Sequence, residues 1–192
     1  MSTAGRPTDS AASNLSSALR EAGFVRLVAA ADADSVAAAG LIAGVLDEWE
    51  LPYQSSVTPL SEPATRATDA DLTVAIGRCA GDLTIGLDAS AARTAYIVSR
   101  EFGESDLSLA LAGAVAADGH PGNELATAAH ESGIERRPGV ALPTADLVDG
   151  LAHSTLIHAP FSGNRDSVES DLDVSEPDDD DQRRQLASLV AL

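Results

Sequence analysis

Val25-Arg26-Leu27-Val28-Ala29-Ala30, then Asp32 and Asp34, then the run from Val36 to Leu46, is the stretch that decides how this chain folds. A short apolar, β-compatible segment passes straight into an Ala/Val/Leu-rich segment of helical character, which is the βα half of a parallel unit. Two carboxylates one residue apart at the carboxyl end of a buried strand stand where open α/β sheets place their ligands. Their oxygens suit hard cations such as Mg²⁺ or Mn²⁺. The same residues also make a helix start: Asp34 or Ser35 is a good N-cap, and Asp32 lies near the positive end of the helix dipole. On this stretch alone the metal and capping readings stand level.

Working outward, the pattern predicts an α/β fold with a parallel sheet flanked by helices and a helical subdomain after it. Residues 1–10, rich in Ser, Thr, Gly and Pro, read as a disordered leader, and Ala11–Ala22 as a first helix closed by Gly23. Phe24–Ala30 and Tyr53–Thr58 read as strands around a helix over Val36–Glu50 that Pro52 stops. Leu60–Asp69 reads as a polar loop. Leu72–Ile76 is a continuous apolar run of the kind buried parallel strands show, and Leu83–Leu87 is a further short strand leading to a helix over Ala91–Phe102. Beyond Gly103 the chain turns to helix after helix: Leu107–Ala117, expected to be fully buried, then Asn123–Ser132 and Ala145–His153. The domain is expected to run from 11 to 163, with an acidic linker over 164–176. A terminal helix is expected over 177–192, where Pro177 and four aspartates precede an apolar stripe of Leu186, Leu189 and Val190. Such a stripe calls for a protein partner, a second copy included.

Net charge is −18, and all twelve basic residues are arginine. Acid excess, absence of lysine and few aromatics look like adaptation to multimolar salt, where dense carboxylates keep a surface hydrated and the screening length falls to about 3 Å. Phosphate-driven affinity is weak there because counterion release loses force, so any nucleic-acid contact would be local and largely non-electrostatic. The single cysteine, Cys79, cannot form an internal disulfide, as suits a reducing cytoplasm. The first 23 residues do not read as a signal peptide. The longest uncharged apolar run, Leu107–Ala117, is well short of the roughly 20 residues that span a bilayer.

Four segments, in order, resemble the motifs of the DHH phosphoesterase superfamily, in particular archaeal RecJ-like proteins, over about residues 24–165. Ala30-Ala31-Asp32-Ala33-Asp34-Ser35 is similar to His-x-Asp-x-Asp-Gly, keeping both aspartates without the histidine and glycine. Gly77 stands after Val74-Ala75-Ile76, where the family carries an aspartate. Asp88-Ala89-Ser90 follows the next strand in place of Asp-His-His. Gly113-Ala114-Val115-Ala116-Ala117-Asp118 resembles Gly-Ala-x-x-Asp with one residue more. Active members hold two Mn²⁺ or Mg²⁺ ions that activate water for phosphodiester hydrolysis. The resemblance therefore implies a reduced set, Asp32, Asp34, Asp88 and Asp118, without the bridging second-strand aspartate. Such a set would serve one Mn²⁺ or Mg²⁺ rather than a catalytic pair. The connection from Gly77 to Asp88 is also shorter than the family's, so a crossover helix is expected to be missing. Two-lobed members continue into a substrate-gripping domain; ligand-depleted members resemble replisome scaffolds that bind GINS and the MCM helicase.

Other residues draw weaker readings. His153 and His158, at i, i+5, do not share a helical face. Gly119 and His120, in Asp118-Gly119-His120-Pro121-Gly122, form a tight turn that either faces a phosphate or simply reverses the chain. Pro160–Asn164 reads as a closing loop, Cys79 as incidental, and Arg183-Arg184 as partners for the aspartates before them. The expected function is a catalytically degenerate RecJ-like scaffold in nucleic-acid metabolism. The alternatives are an active metal-dependent phosphodiesterase or single-strand exonuclease with a reduced ligand set, and an unrelated nucleotide-binding or interaction module. The last lacks both GxGxxG and a Walker loop.

Overall fold

β1 (Val25–Ala30) is the inner strand on which the sheet is built, and every one of its residues is buried. The computed structural model describes residues 7–59, 69–77, 81–103, 105–136, 146–155, 158–171 and 184. Before β1 comes α1 (Pro7–Glu21). After it come α2 (Ala33–Glu48), β2 (Tyr53–Thr58), β3 (Leu72–Ile76), β4 (Leu83–Ile85), α3 (Ala91–Phe102), α4 (Leu107–Asp118) and α5 (Asn123–Glu131). The four strands form one parallel sheet in the order β2-β1-β3-β4.

Burial follows the alternation of the strands. Val25, Leu27 and Ala29 of β1 and Leu72, Val74 and Ile76 of β3 join one core with the apolar faces of α1 to α4. The alternate residues Val28, Ala30 and Ala75 form a second, smaller buried cluster. Both faces are thus dry, which explains why β1 and β3 read as continuous apolar runs. Among the described residues no helix lies between β3 and β4, and β4 pairs only with the last three residues of β3, Val74 to Ile76. The chain has to return only a few ångströms. It is held on the way back by Asp82, whose N–H donates to Thr73 O at 2.9 Å and whose carboxylate accepts from Thr73 N–H at 2.7 Å.

α1 begins at Pro7, inside the stretch expected to be a leader; proline with its preset φ suits the first turn of a helix. α4 is not fully buried: only Ala110, Gly113 and Ala114 are, while Ala112, Val115, Ala116 and Ala117 are exposed. It packs along a narrow seam in which a Cβ added at Gly113 would lie 2.5 Å from Ala92 Cβ and 2.7 Å from Ala37 Cβ. Glycine there lets α4 approach α2 and α3 together, and the small side chains of the outer face leave it uncharged and open.

Contacts divide the chain into two compact units, 1–134 and 135–192. In the second, α6 (Leu147–Ala152) is capped by Asp146, which accepts from Val148 N–H and Asp149 N–H. α7 (Arg165–Asp171) lies within the stretch read as linker. Arg165 bridges the two helices, donating to Asp146 at 2.7 Å and to Glu169 at 2.8 Å. These backbone and guanidinium donors hold the Asp146 carboxyl below the ordinary aspartate range, and the Asp146 carboxylate in turn pushes the Arg165 guanidinium up. The loop over 160–164 turns back onto α6 of the same unit, where Gly163 N–H donates to Ala152 O at 2.6 Å. Leu186, Leu189, Val190 and Cys79 lie outside the described residues. Among the described residues no helix is long and apolar enough to cross a membrane.

Candidate functional site

β1 leads by α2 to β2 on one side, and β3 leads to β4 on the other, so the connections diverge between β1 and β3. In an open parallel sheet this divergence opens a crevice at the strand carboxyl ends, the usual place for a ligand. Asp32 follows β1 there, and Gly77 follows β3.

Asp32, and not Asp34 or Ser35, is the N-cap of α2. Its Oδ1 accepts from Ser35 N–H at 2.9 Å and its Oδ2 from the Ser35 hydroxyl at 2.9 Å. Asp34 is turned away from its own helix end and caps another. Its Oδ1 accepts from the Ser90 hydroxyl at 2.7 Å and from Ala92 N–H at 3.0 Å, and its Oδ2 from Ala91 N–H at 2.7 Å. Ser90 in turn is the N-cap of α3, accepting from Arg93 N–H at 3.2 Å. A carboxylate with three donors at the positive end of a helix is satisfied electrostatically and by hydrogen bonding at once. Nothing near Asp34 in sequence signals this, since the donors lie 56 to 58 residues away.

The crevice itself is filled. Ser35 is buried, and a Cβ built on Gly77 would fall 2.4 Å from Ser35 Oγ and 2.9 Å from Ala30 Cβ. Gly77 also has φ +88°, a conformation that side chains strain to adopt. The position where the resembled motif carries its bridging aspartate therefore has neither the backbone nor the space for one.

Asp88 is exposed, beside a cavity of about 100 Å³ bounded by Thr84, Gly86, Leu87, Thr8 and Thr94. Asp118 ends α4 and is paired with the Arg93 guanidinium, which also donates to His120 O at 3.4 Å. Gly119 closes α4 in the left-handed conformation, its N–H donating to Val115 O at 2.8 Å. His120 Nδ1 accepts from Gly122 N–H at 2.8 Å, so this turn uses its own backbone donors internally rather than presenting them to a phosphate. His153 lies 3.6 Å from Asp149, one turn back on α6, and His158 is exposed apart from it.

The four aspartates do not converge. Among the described residues no three His, Cys, Asp or Glu side chains form a group able to hold a metal ion. Asp32 and Asp34 sit at one strand end, with both oxygens of each already accepting hydrogen bonds. Asp118 is matched by an arginine. The donor set does not fit the single Mn²⁺ or Mg²⁺ that the resemblance implied. What the arrangement accomplishes instead is mechanical: it joins the ends of β1, β3 and β4 to the starts of α2 and α3.

No family model matches the chain. It is similar to a protein of Haloarcula marismortui described as uncharacterized protein rrnAC1427, with 47% identity over 192 residues covering 96% of this chain and 51% of that protein. The chain thus spans about half the length of the curated relative it matches.

Proposed function

We propose that the chain is a RecJ-like domain of the DHH type that no longer hydrolyses phosphodiesters and serves as a scaffold in nucleic-acid metabolism, in the cytoplasm. Gly77 carries this reading. A two-metal hydrolase needs a carboxylate between its cations to offset their repulsion, and at the end of β3 the chain offers a left-handed glycine packed against Ser35. The parallel order β2-β1-β3-β4 and the first-motif aspartates support the family side of the reading. The engagement of Asp34 by α3 supports the loss of chemistry. A scaffold acts through protein surfaces, and the apolar stripe of Leu186, Leu189 and Val190 is the proposed contact for a replisome component or a second copy. Nucleic acid would bind weakly, given a charge of −18.

The test is Mn²⁺-dependent hydrolysis of labelled single-stranded DNA and RNA in about 2 M KCl, where surface repulsion is screened. The wild type is expected to be indistinguishable from Asp32→Ala, both at background. Cleavage by the wild type that Asp32→Ala abolishes would instead identify a metal-dependent exonuclease with a reduced ligand set.

A further inference from the structure

We infer that Ser35 and Gly77 are a reciprocal pair: the side chain that closes the β1/β3 crevice comes from position 35 because position 77 has none, and the knot so formed joins three strand ends without a cation. This rests on the proposed reading only in matching positions 35 and 77 to the motif glycine and aspartate; the packing stands by itself.

In the resembled motifs the residue after the second aspartate is glycine and the residue ending the next strand is an aspartate. Here the two are inverted, serine at 35 and glycine at 77. The geometry gives the inversion a cause, because the crevice holds one side chain. Ser35 is 1% exposed, and its hydroxyl stands 2.4 Å from where a Cβ at 77 would be. That hydroxyl is not a flexible group that could swing aside at no cost, since Asp32 Oδ2 holds it at 2.9 Å while Oδ1 holds the Ser35 N–H. From Gly77 the knot continues to β4, its N–H donating to Ile85 O at 2.9 Å. From the α2 side it continues through Asp34 to Ser90, Ala91 and Ala92 at the start of α3. A neutral hydroxyl is a poor substitute for a carboxylate as a hard-cation ligand, but it satisfies a capping aspartate and fills space. The pair replaces a tie made through metal by one made through hydrogen bonds and packing.

A double-mutant cycle on the full chain tests this, with Tm read by circular dichroism in about 2 M KCl, in EDTA and in millimolar Mn²⁺. Gly77→Ala is expected to lower Tm by roughly 10 °C, from the clash and the positive φ together. Ser35→Gly alone is expected to lower it by roughly 3–5 °C, through the lost hydroxyl contact and helix propensity. The double variant is expected to melt above Gly77→Ala, although its second change is destabilising alone, because the 2.4 Å clash with Ser35 Oγ is gone while the 2.9 Å approach to Ala30 Cβ and the φ strain are common to both. Wild-type Tm is expected to be the same in EDTA and in Mn²⁺. Should Gly77→Ala not fold, recovery of folded protein on adding Ser35→Gly is the expected readout. Additive losses, failure of that recovery, or a Mn²⁺-dependent rise in wild-type Tm would each overturn the inference. Hydrolysis of single strands alongside an intact Ser35–Gly77 coupling would overturn the scaffold reading and leave the pair standing.

Discussion

Asp34 and Asp118 are the same side chain, both near helix ends and both in segments that resemble a family motif, yet the molecule uses them in opposite ways. Asp34 is half-buried and accepts three hydrogen bonds from the first turn of a helix distant in sequence. Asp118 is about half exposed and meets one arginine. The difference shows that a carboxylate's role is set by how many donors the fold brings to it and how dry they are, and not by its place in a motif. Asp146 stands between the two, exposed like Asp118 but capping a helix and meeting an arginine like a fixed tie.

The comparison breaks most visibly at Asp34. Asp34→Ala strands the N–H groups of Ala91 and Ala92 and the Ser90 hydroxyl, at a cost of about 3 kcal/mol. In a domain of this size that is a fall in Tm of roughly 10 °C, measured by thermal or denaturant unfolding. Asp34→Asn keeps one acceptor oxygen but sets an amide donor against a backbone donor, so it is expected to cost about 2 kcal/mol. If both variants melt within about 1 °C of wild type, the contrast with Asp118 disappears.

Asp118→Ala should be a much smaller event, about 0–1 kcal/mol, and smaller still at high salt, because the Arg93 pair is solvent-screened. Urea unfolding at low and high KCl measures this. A loss as large as that of Asp34→Ala would place the two aspartates in one class. Asp146 supplies the intermediate case and a pH dependence. Its native pKa is lowered by the Asp149 backbone donor and by Arg165. Its stabilising contribution is therefore complete above the unfolded value of about 3.9 and is lost as pH falls through the lower native value. An NMR titration should find its midpoint below that of an ordinary aspartate, and Arg165→Ala should move it back up. A midpoint at the ordinary value would remove the effect.

Much of the sheet is legible in the sequence, for reasons the structure makes plain. β2 and β3 match the expected Tyr53–Thr58 and Leu72–Ile76, and β1 begins one residue after Phe24. β1 and β3, buried on both faces, leave uninterrupted apolar runs, while Pro52 and Pro59 bound the more polar β2. Locally the cap of α2 reads as Asp34 or Ser35, and assigning it to Asp32 requires knowing that Asp34 has a better set of donors on α3. α4 misleads in the other direction. Hydropathy scores alanine as apolar, but an outer face of Ala112, Val115, Ala116 and Ala117 loses little by facing water, and the helix buries one narrow seam. Pro7 at a first-turn position marks the start of α1, within a Ser/Thr/Gly-rich composition that by itself points to a disordered leader. The closed crevice left one local trace, a glycine where a strand ends. Its partner Ser35 lies at the start of α2, 42 residues earlier in the chain, a relation no local window contains.

The central claim is that the first-motif carboxylates are structural. Calorimetric titration of the full chain with MnCl₂ in about 2 M KCl tests it most directly, since binding at this site would have to displace the caps. The account predicts no saturable heat up to millimolar Mn²⁺, for the wild type as for Asp32→Ala. A stoichiometric, saturable Mn²⁺ isotherm that Asp32→Ala removes would contradict it.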